Sequence, residues 1–149
     1  MRIAIGNDHA AVALKVKMKK LLVERRMDCI DFGAAEGEKA EYPIIAEKIC
    51  EAVTSGKCDR GILLCGTGVG MAIAANKVKG IRAAVCSDVF SARMTVEHND
   101  SNVLCMGGRV VGEGLAADIL NAWLDAKFEG ERHCARVDMI KDIETRNFK

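Results

Sequence analysis

The chain has no long apolar run, no block of one-signed charge and no paired-cysteine spacing. Each absence excludes something. Without about 18 consecutive apolar residues there is no bilayer-spanning helix, so no membrane partner is expected. The opening Met1-Arg2-Ile3-Ala4-Ile5-Gly6 lacks the apolar centre of a secretory leader. The 22 Lys and Arg are scattered among 21 Asp and Glu for a net charge of +1. Such a distribution offers no surface to nucleic acid. Seven cysteines (Cys29, Cys50, Cys58, Cys65, Cys86, Cys105, Cys134) are odd in number and form no C-x-x-C. They read as reduced thiols of a cytoplasmic protein, not as a disulfide frame or zinc site. No repeat, low-complexity stretch or linker breaks the 149 residues, a length that fits one domain (1–149) with a real core.

What is present is organised around Gly61 to Asn76. The apolar Ile62-Leu63-Leu64 reads as a strand buried on both faces. Three glycines at alternate positions (Gly66, Gly68, Gly70) follow, then an alanine-rich helix. A glycine turn at a helix start lets backbone N–H groups approach an anion. The turn is not a Walker loop, since no Gly-Lys-Ser/Thr follows, and its G-x-G-x-G is not the dinucleotide fingerprint. No nucleotide or redox cofactor is therefore expected. Cys65 ends the strand, where the turn's dipoles are expected to draw a thiol pKa below about 8.5 and make it a usable base. A cysteine in that position also serves as an ordinary small hydrophobe.

Read in order, Arg2–Gly6 is a first strand ending at Asn7-Asp8-His9, with Asp8 placed to cap the next helix. In that helix Leu14, Met18, Leu21 and Leu22 share a stripe, with Lys15 and Lys19 on another face. Cys29–Phe32 is a second strand, and Pro43 opens a helix with Ile45, Ile49 and Val53 buried and Gly56 closing it. Ile81–Cys86 and Asn102–Met106 are the fourth and fifth strands, with a helix from Ser87-Asp88 to about Glu97 between them. A helix carrying Leu115, Ile119 and Trp123 follows, and residues 131–146 place Val137, Ile140 and Ile143 at helical spacing. Strands alternating with helices predict a Rossmann-like three-layer α/β/α sandwich on a five-stranded parallel sheet, taken in the order 2-1-3-4-5. Ligands bind beyond the carboxyl ends of such strands where the order reverses. That point brings Asp8 and His9 to the turn from Cys65 to Gly70.

Other candidates are His98, also readable as a solvated helix end, and Arg109 beside Gly107-Gly108. Arg132 and Arg136 sit at i, i+4, a fork pair suited to phosphate or carboxylate unless Glu129 and Glu131 merely balance it. A thiolate base, an amide nest, histidines and an anion clamp fit proton abstraction next to the carbonyl of a phosphorylated small molecule. The set contains no metal cluster.

Several stretches together are specific. Gly6-Asn-Asp8-His9, Tyr42-Pro43, Cys65-Gly-Thr67-Gly-Val-Gly70, Glu97-His98-Asn99-Asp100, Gly108-Arg109 and Glu129 to Val137 resemble, in order and over nearly the whole chain, the type B ribose-5-phosphate isomerases. The galactose-6-phosphate isomerase subunits belong to the same family. The resemblance implies a metal-free and cofactor-free aldose–ketose isomerase working through a cis-enediolate. It implies Cys65 as the base between C1 and C2, Thr67 as the relay between the oxygens and His98 as the ring-opening acid. It further implies Gly66, Gly68, Val69 and Gly70 around the anion, and Asp8, Tyr42, Asn99 and Arg109 as ligand contacts. His9, Arg132 and Arg136 match the phosphate grip. A homodimer or dimer of dimers with shared sites is implied, the C-terminal helix reaching the partner. Departures are Ala10-Ala11-Val12, where a glycine and an aromatic are usual, Glu41 in place of Asp, and Asp88-Val89-Phe90 in a variable stretch. A smaller wall near the first strand admits a longer aldose phosphate such as allose or galactose 6-phosphate. A sugar-phosphate-binding module without turnover is the alternative outside catalysis.

Overall fold

A computed structural model describes residues 1–148. Strands β1 (Arg2–Asn7), β2 (Asp28–Asp31), β3 (Arg60–Cys65), β4 (Ala83–Val85) and β5 (Val103–Gly107) alternate with helices. These are α1 (Val12–Glu24), α2 (Tyr42–Thr54), α3 (Val69–Ala75), α4 (Val89–Glu97) and α5 (Glu113–Asp125), with α6 (Arg132–Asn147) last. Every strand pairing is parallel, as the alternation predicts. Period-two alternation sends Ile62 and Leu64 to one face, with Met18, Leu22, Val96 and Trp123, and Leu63 and Cys65 to the other, with Ile45, Ile49 and Met71. Two cores thus sandwich one sheet.

The strand order is β2-β1-β3-β5-β4, not 2-1-3-4-5. Burial explains the correction. All five residues of β5 are buried, which demands a neighbour on each side, whereas β4 has three residues that stay half-buried or exposed. The predicted Ile81–Cys86 strand accordingly shrinks to an edge of Ala83–Val85. The reversal between β1 and β3 stands as expected. Moving β5 inward has a consequence for the site, because Gly107 now lies in register with Cys65.

Each helix runs back against the strands, so the two sheet edges carry different helix ends. At the carboxyl edge lie the starts of α2, α3 and α4, the last with Asp88 Oδ1 accepting from the Ser91 amide at 2.7 Å. At the amino edge lies the end of α4. There Arg82, just before β4, donates through Nε to the Asn99 and Asp100 carbonyls at 3.1 and 2.9 Å. The Gly61 amide at the start of β3 donates to Asn102 O at 2.9 Å. Ser101 is fixed by the indole of buried Trp123, whose Nε1 donates to its Oγ at 2.9 Å.

Lys15, off the apolar stripe as the spacing places it, is nevertheless buried, and its Nζ donates to the Ala34 carbonyl at 2.8 Å and to Asp31 Oδ1 at 3.3 Å. Asp31 also accepts from Lys19 and from the Gly33 amide, both at 2.9 Å. Burial pushes the Asp31 carboxyl up, but these donors outweigh it and leave its pKa below the ordinary value. The network pins the turn that starts the 32–41 connection. Lys15→Met is expected to destabilise the fold by about 1–3 kcal/mol, the cost of losing hydrogen bonds to a charged group. Stability from the lowered carboxyl is present above the usual carboxylate range and is lost as pH falls through the native value. The gap between wild type and variant in urea midpoints should therefore narrow in acid; a gap that widens there contradicts the network.

Candidate active site

Cys65 occupies the last position of β3 and is 5% exposed. The chain then turns sharply, with Gly68 in the left-handed region at φ 80°. Only glycine fits there at low cost, since a Cβ would also stand 3.0–3.2 Å from the Met106 backbone. This turn swings the Gly68 amide back onto the sulfur, donating to Cys65 Sγ at 3.1 Å. The Val69 amide is taken by Thr67 Oγ1 at 3.3 Å, which holds the hydroxyl beside the start of α3. Gly107 lets β5 close on this turn, for its Cβ would meet the Thr67 backbone at 2.7 Å. The Gly108 amide donates to Cys65 O at 2.8 Å and the Arg109 amide to Gly66 O at 3.0 Å. The Arg109 side chain lies over Gly66.

The first strand arrives alongside. The Asp8 amide donates to Leu64 O at 3.1 Å, and the Asp8 carboxylate caps the next turn through the Ala10 amide at 2.9 Å. Tyr42, at the start of α2, lays its ring against Gly70, where a Cβ would be 2.9–3.0 Å from the ring carbons. Asp8, His9 and Tyr42 line a cleft of about 190 Å³ together with Lys39, Ala40 and Glu41. The carboxyl edge of the sheet therefore gathers Asp8, His9, Tyr42, Cys65, Gly66, Thr67, Gly68, Val69, Gly70 and Arg109.

His98, Asn99, Arg132 and Arg136 are elsewhere. His98 caps the carboxyl end of α4, at the sheet's amino edge, and its ring stacks on His133 of α6 with centroids 4.3 Å apart and planes 12° from parallel. Arg132 and Arg136 are exposed on α6, with Arg132 Nε 3.5 Å from His133 Nε2. Glu129 Oε2 lies 3.3 Å from His133 Nε2 and 4.0 Å from His98 Nε2. A parallel sheet separates the ends of β3 and α4 by its own height, so one chain cannot close Cys65 and His98 on a single small molecule. Spacing along the chain assigns His133 no role and Glu129 only that of a counter-charge. The available signal was slight: one histidine between two spaced arginines.

A second cavity, of about 500 Å³, runs between α6 and the β4 edge, lined by Ile81, Ala84, Asn99, Ile140, Ile143 and Phe148. It is mostly apolar and lies at the amino edge, away from the sulfur. On α6, Val137 is buried within the chain, whereas Met139, Ile140 and Ile143 are exposed on it. Val69, Ile73, Val85, Phe90 and Val110 form a matching exposed apolar set around the carboxyl edge. Among the described residues no helix is long and apolar enough to cross a membrane.

A family profile described as Ribose/Galactose Isomerase matches residues 3–140. Ribose-5-phosphate isomerase B of Escherichia coli (strain K12) is 50% identical over 145 residues, 97% of each chain. D-erythrulose-4-phosphate isomerase of Pectobacterium atrosepticum is 45% identical over 141 residues, 94% of this chain and 93% of its own. The solved structure of Clostridium thermocellum Ribose-5-Phosphate Isomerase B superposes with a TM-score of 0.96 at 52% identity, covering 98% of this chain and 99% of that one.

Proposed function

This chain belongs to the ribose/galactose isomerase family and is a sugar-phosphate isomerase of the type B ribose-5-phosphate isomerase group; from that membership we propose that it interconverts D-ribose 5-phosphate and D-ribulose 5-phosphate in the cytoplasm. The observation that carries the reading is the sulfur of Cys65 with an amide N–H turned onto it, at the mouth of a glycine turn. On the open-chain aldose, the Cys65 thiolate takes the C2 proton and the electron pair moves through C2–C1 to O1. The remaining amides of the turn hold that oxyanion, an arrangement whose single donors are typically worth about 10²–10³ in rate. Thr67 passes the O2 proton to O1, and the Cys65 thiol returns its proton to C1. Asp8 and Tyr42 contact the sugar, Arg109 and Asn99 add polar contacts, and His98 protonates the ring oxygen as the furanose opens. His9, Arg132 and Arg136 grip the phosphate. No step calls for a metal or cofactor.

Because Cys65 and His98 stand at opposite edges, the site we propose is completed by a second copy related by a two-fold axis. A two-fold interface presents the same surface from both chains, so the exposed apolar sets at the carboxyl edge and on α6 cover each other twice. The relatives named above act, by their names, on sugars of different length. Ala10 stands beside the turn at Gly66, a small side chain at the wall near β1, and this favours a six-carbon aldose phosphate as the second reading. A coupled assay decides between them. Expected is a kcat/KM for D-ribose 5-phosphate about 10- to 100-fold above that for D-allose 6-phosphate, the discrimination typical of one added carbon unit. A preference in the other direction moves the substrate to the six-carbon class, and turnover of neither leaves a binding module.

A further inference from the structure

The residues 126–131 connecting α5 to α6 are held in an unusual conformation. Gly130 has φ 69° and Glu131, not a glycine, has φ 46°. Left-handed backbone at a side-chain-bearing residue is costly and persists where the surroundings impose it. Here the imposing contacts are visible: the Glu129 amide donates to the Glu97 carbonyl at 3.0 Å, and the His133 amide to Gly130 O at 2.9 Å. The tight reversal sets the Glu129 carboxylate against the Nε2 side of two stacked imidazoles, 3.3 Å from His133 and 4.0 Å from His98. His133 is 4% exposed, so a ring of the pair has little water to hydrogen-bond with. The charged neighbours are few. Arg132 Nε meets His133 Nε2 at 3.5 Å, Glu97 precedes His98, and Arg93 reaches Glu97 Oε1 at 4.0 Å.

A His-Glu-His set whose ligating atoms lie within 4.8 Å of one another resembles a cation site. The geometry speaks against it. Imidazoles stacked 12° from parallel aim their lone pairs side by side, whereas metal ligands must converge on one point, and the Arg132 guanidinium already brings positive charge to the spot. What stacked rings and a carboxylate do well is fix each other's orientation, as second-layer carboxylates fix catalytic histidines.

We propose that Glu129 is a positioning residue for His98: with His133 it fixes the plane and reach of the imidazole that opens the sugar ring. The inference rests on the proposed role of His98. Without the carboxylate His98 retains one stacked neighbour and the freedom of a helix end. Ring opening then slows, while proton transfer at Cys65, on the other sheet edge, is untouched.

The test separates these steps with two substrates, D-ribose 5-phosphate and its 4-deoxy analogue. The analogue has no hydroxyl at C4 to close a furanose and so needs no ring opening. Glu129→Gln, a half-exposed position, is expected to melt with the wild type. With ribose 5-phosphate its kcat should fall about tenfold, part of the roughly 10²–10⁴ that a placed general acid contributes. On the analogue kcat should stay within about twofold of wild type, and KM for both should hold. Equal slowing on both substrates, no slowing on either, or a rise confined to KM (a mere prop for Arg132 at the phosphate) overturns the proposal. His98→Ala is the reference. If it discriminates between the substrates and Glu129→Gln does not, the positioning role alone is wrong. If His98→Ala does not discriminate, the ring-opening role falls and the inference goes with it.

Discussion

Cys65→Ala is expected to lower kcat by about 10²–10⁴-fold, the range a placed base contributes, with affinity for the sugar phosphate retained. The substitution removes one sulfur from a strand end that is already small and packed, and it leaves the Gly68 backbone turn and the arginines proposed to bind phosphate in place. A loss confined to kcat follows because the thiolate acts only as the C–H bond breaks. The chemistry of the other thiols makes the assignment checkable by alkylation. Burial pushes Cys29 up to about 11, Cys50 to about 12 and Cys86 to about 11, raises Cys58, and holds Cys105 well above an ordinary thiol. Those five are nearly all thiol at neutral pH, and the thiolate is what alkylates. Iodoacetamide on the native protein should therefore mark Cys134, which is exposed, and Cys65. Ribose 5-phosphate should shield Cys65 alone. Full turnover by Cys65→Ala, or labelling of Cys65 indifferent to substrate, removes the base from the mechanism.

Mixing two dead variants should restore activity. In the proposed dimer, Cys65→Ala and His98→Ala each remove one required group from both sites. If every site takes Cys65 from one copy and His98 from the other, a mixed dimer has one doubly broken site and one intact site. Random exchange makes half the dimers mixed, so denaturing and refolding an equimolar mixture should return about a quarter of wild-type activity. The opposite topology predicts none, since within single chains no combination rebuilds a whole site. Light scattering on the unmixed proteins should give at least a dimer mass. Recovery near zero, with dimers present, puts the ring-opening group on the same chain as the base or removes His98 from the reaction.

Much of this protein was legible in its residues. Apolar runs alternating with amphipathic stretches dictate strand and helix locally, so β3, α4 and α6 fall within a residue or two of where periodicity puts them. The glycines of the Cys65 turn are equally local, because a left-handed Gly68 and an amide on the sulfur are properties of six consecutive residues. Strand order, by contrast, was settled by competition between whole strands for buried places, and β5 won the interior because it is apolar throughout while β4 is short. The burial of Lys15 has a related cause: a helical wheel puts it off the apolar stripe, and only the fold brings Asp31 and the Ala34 carbonyl from outside the helix to receive it. The stack of His98 on His133, with Glu129 against both, spans two helices and a strained turn. No spacing rule encodes that meeting; it exists because α4 ends and α6 begins at the same edge of the sheet. The order of residues determined which chemical groups the chain owns and which short turns it makes. Folding in three dimensions decided which groups share a surface and which face away, since that depends on how entire elements divide a limited interior.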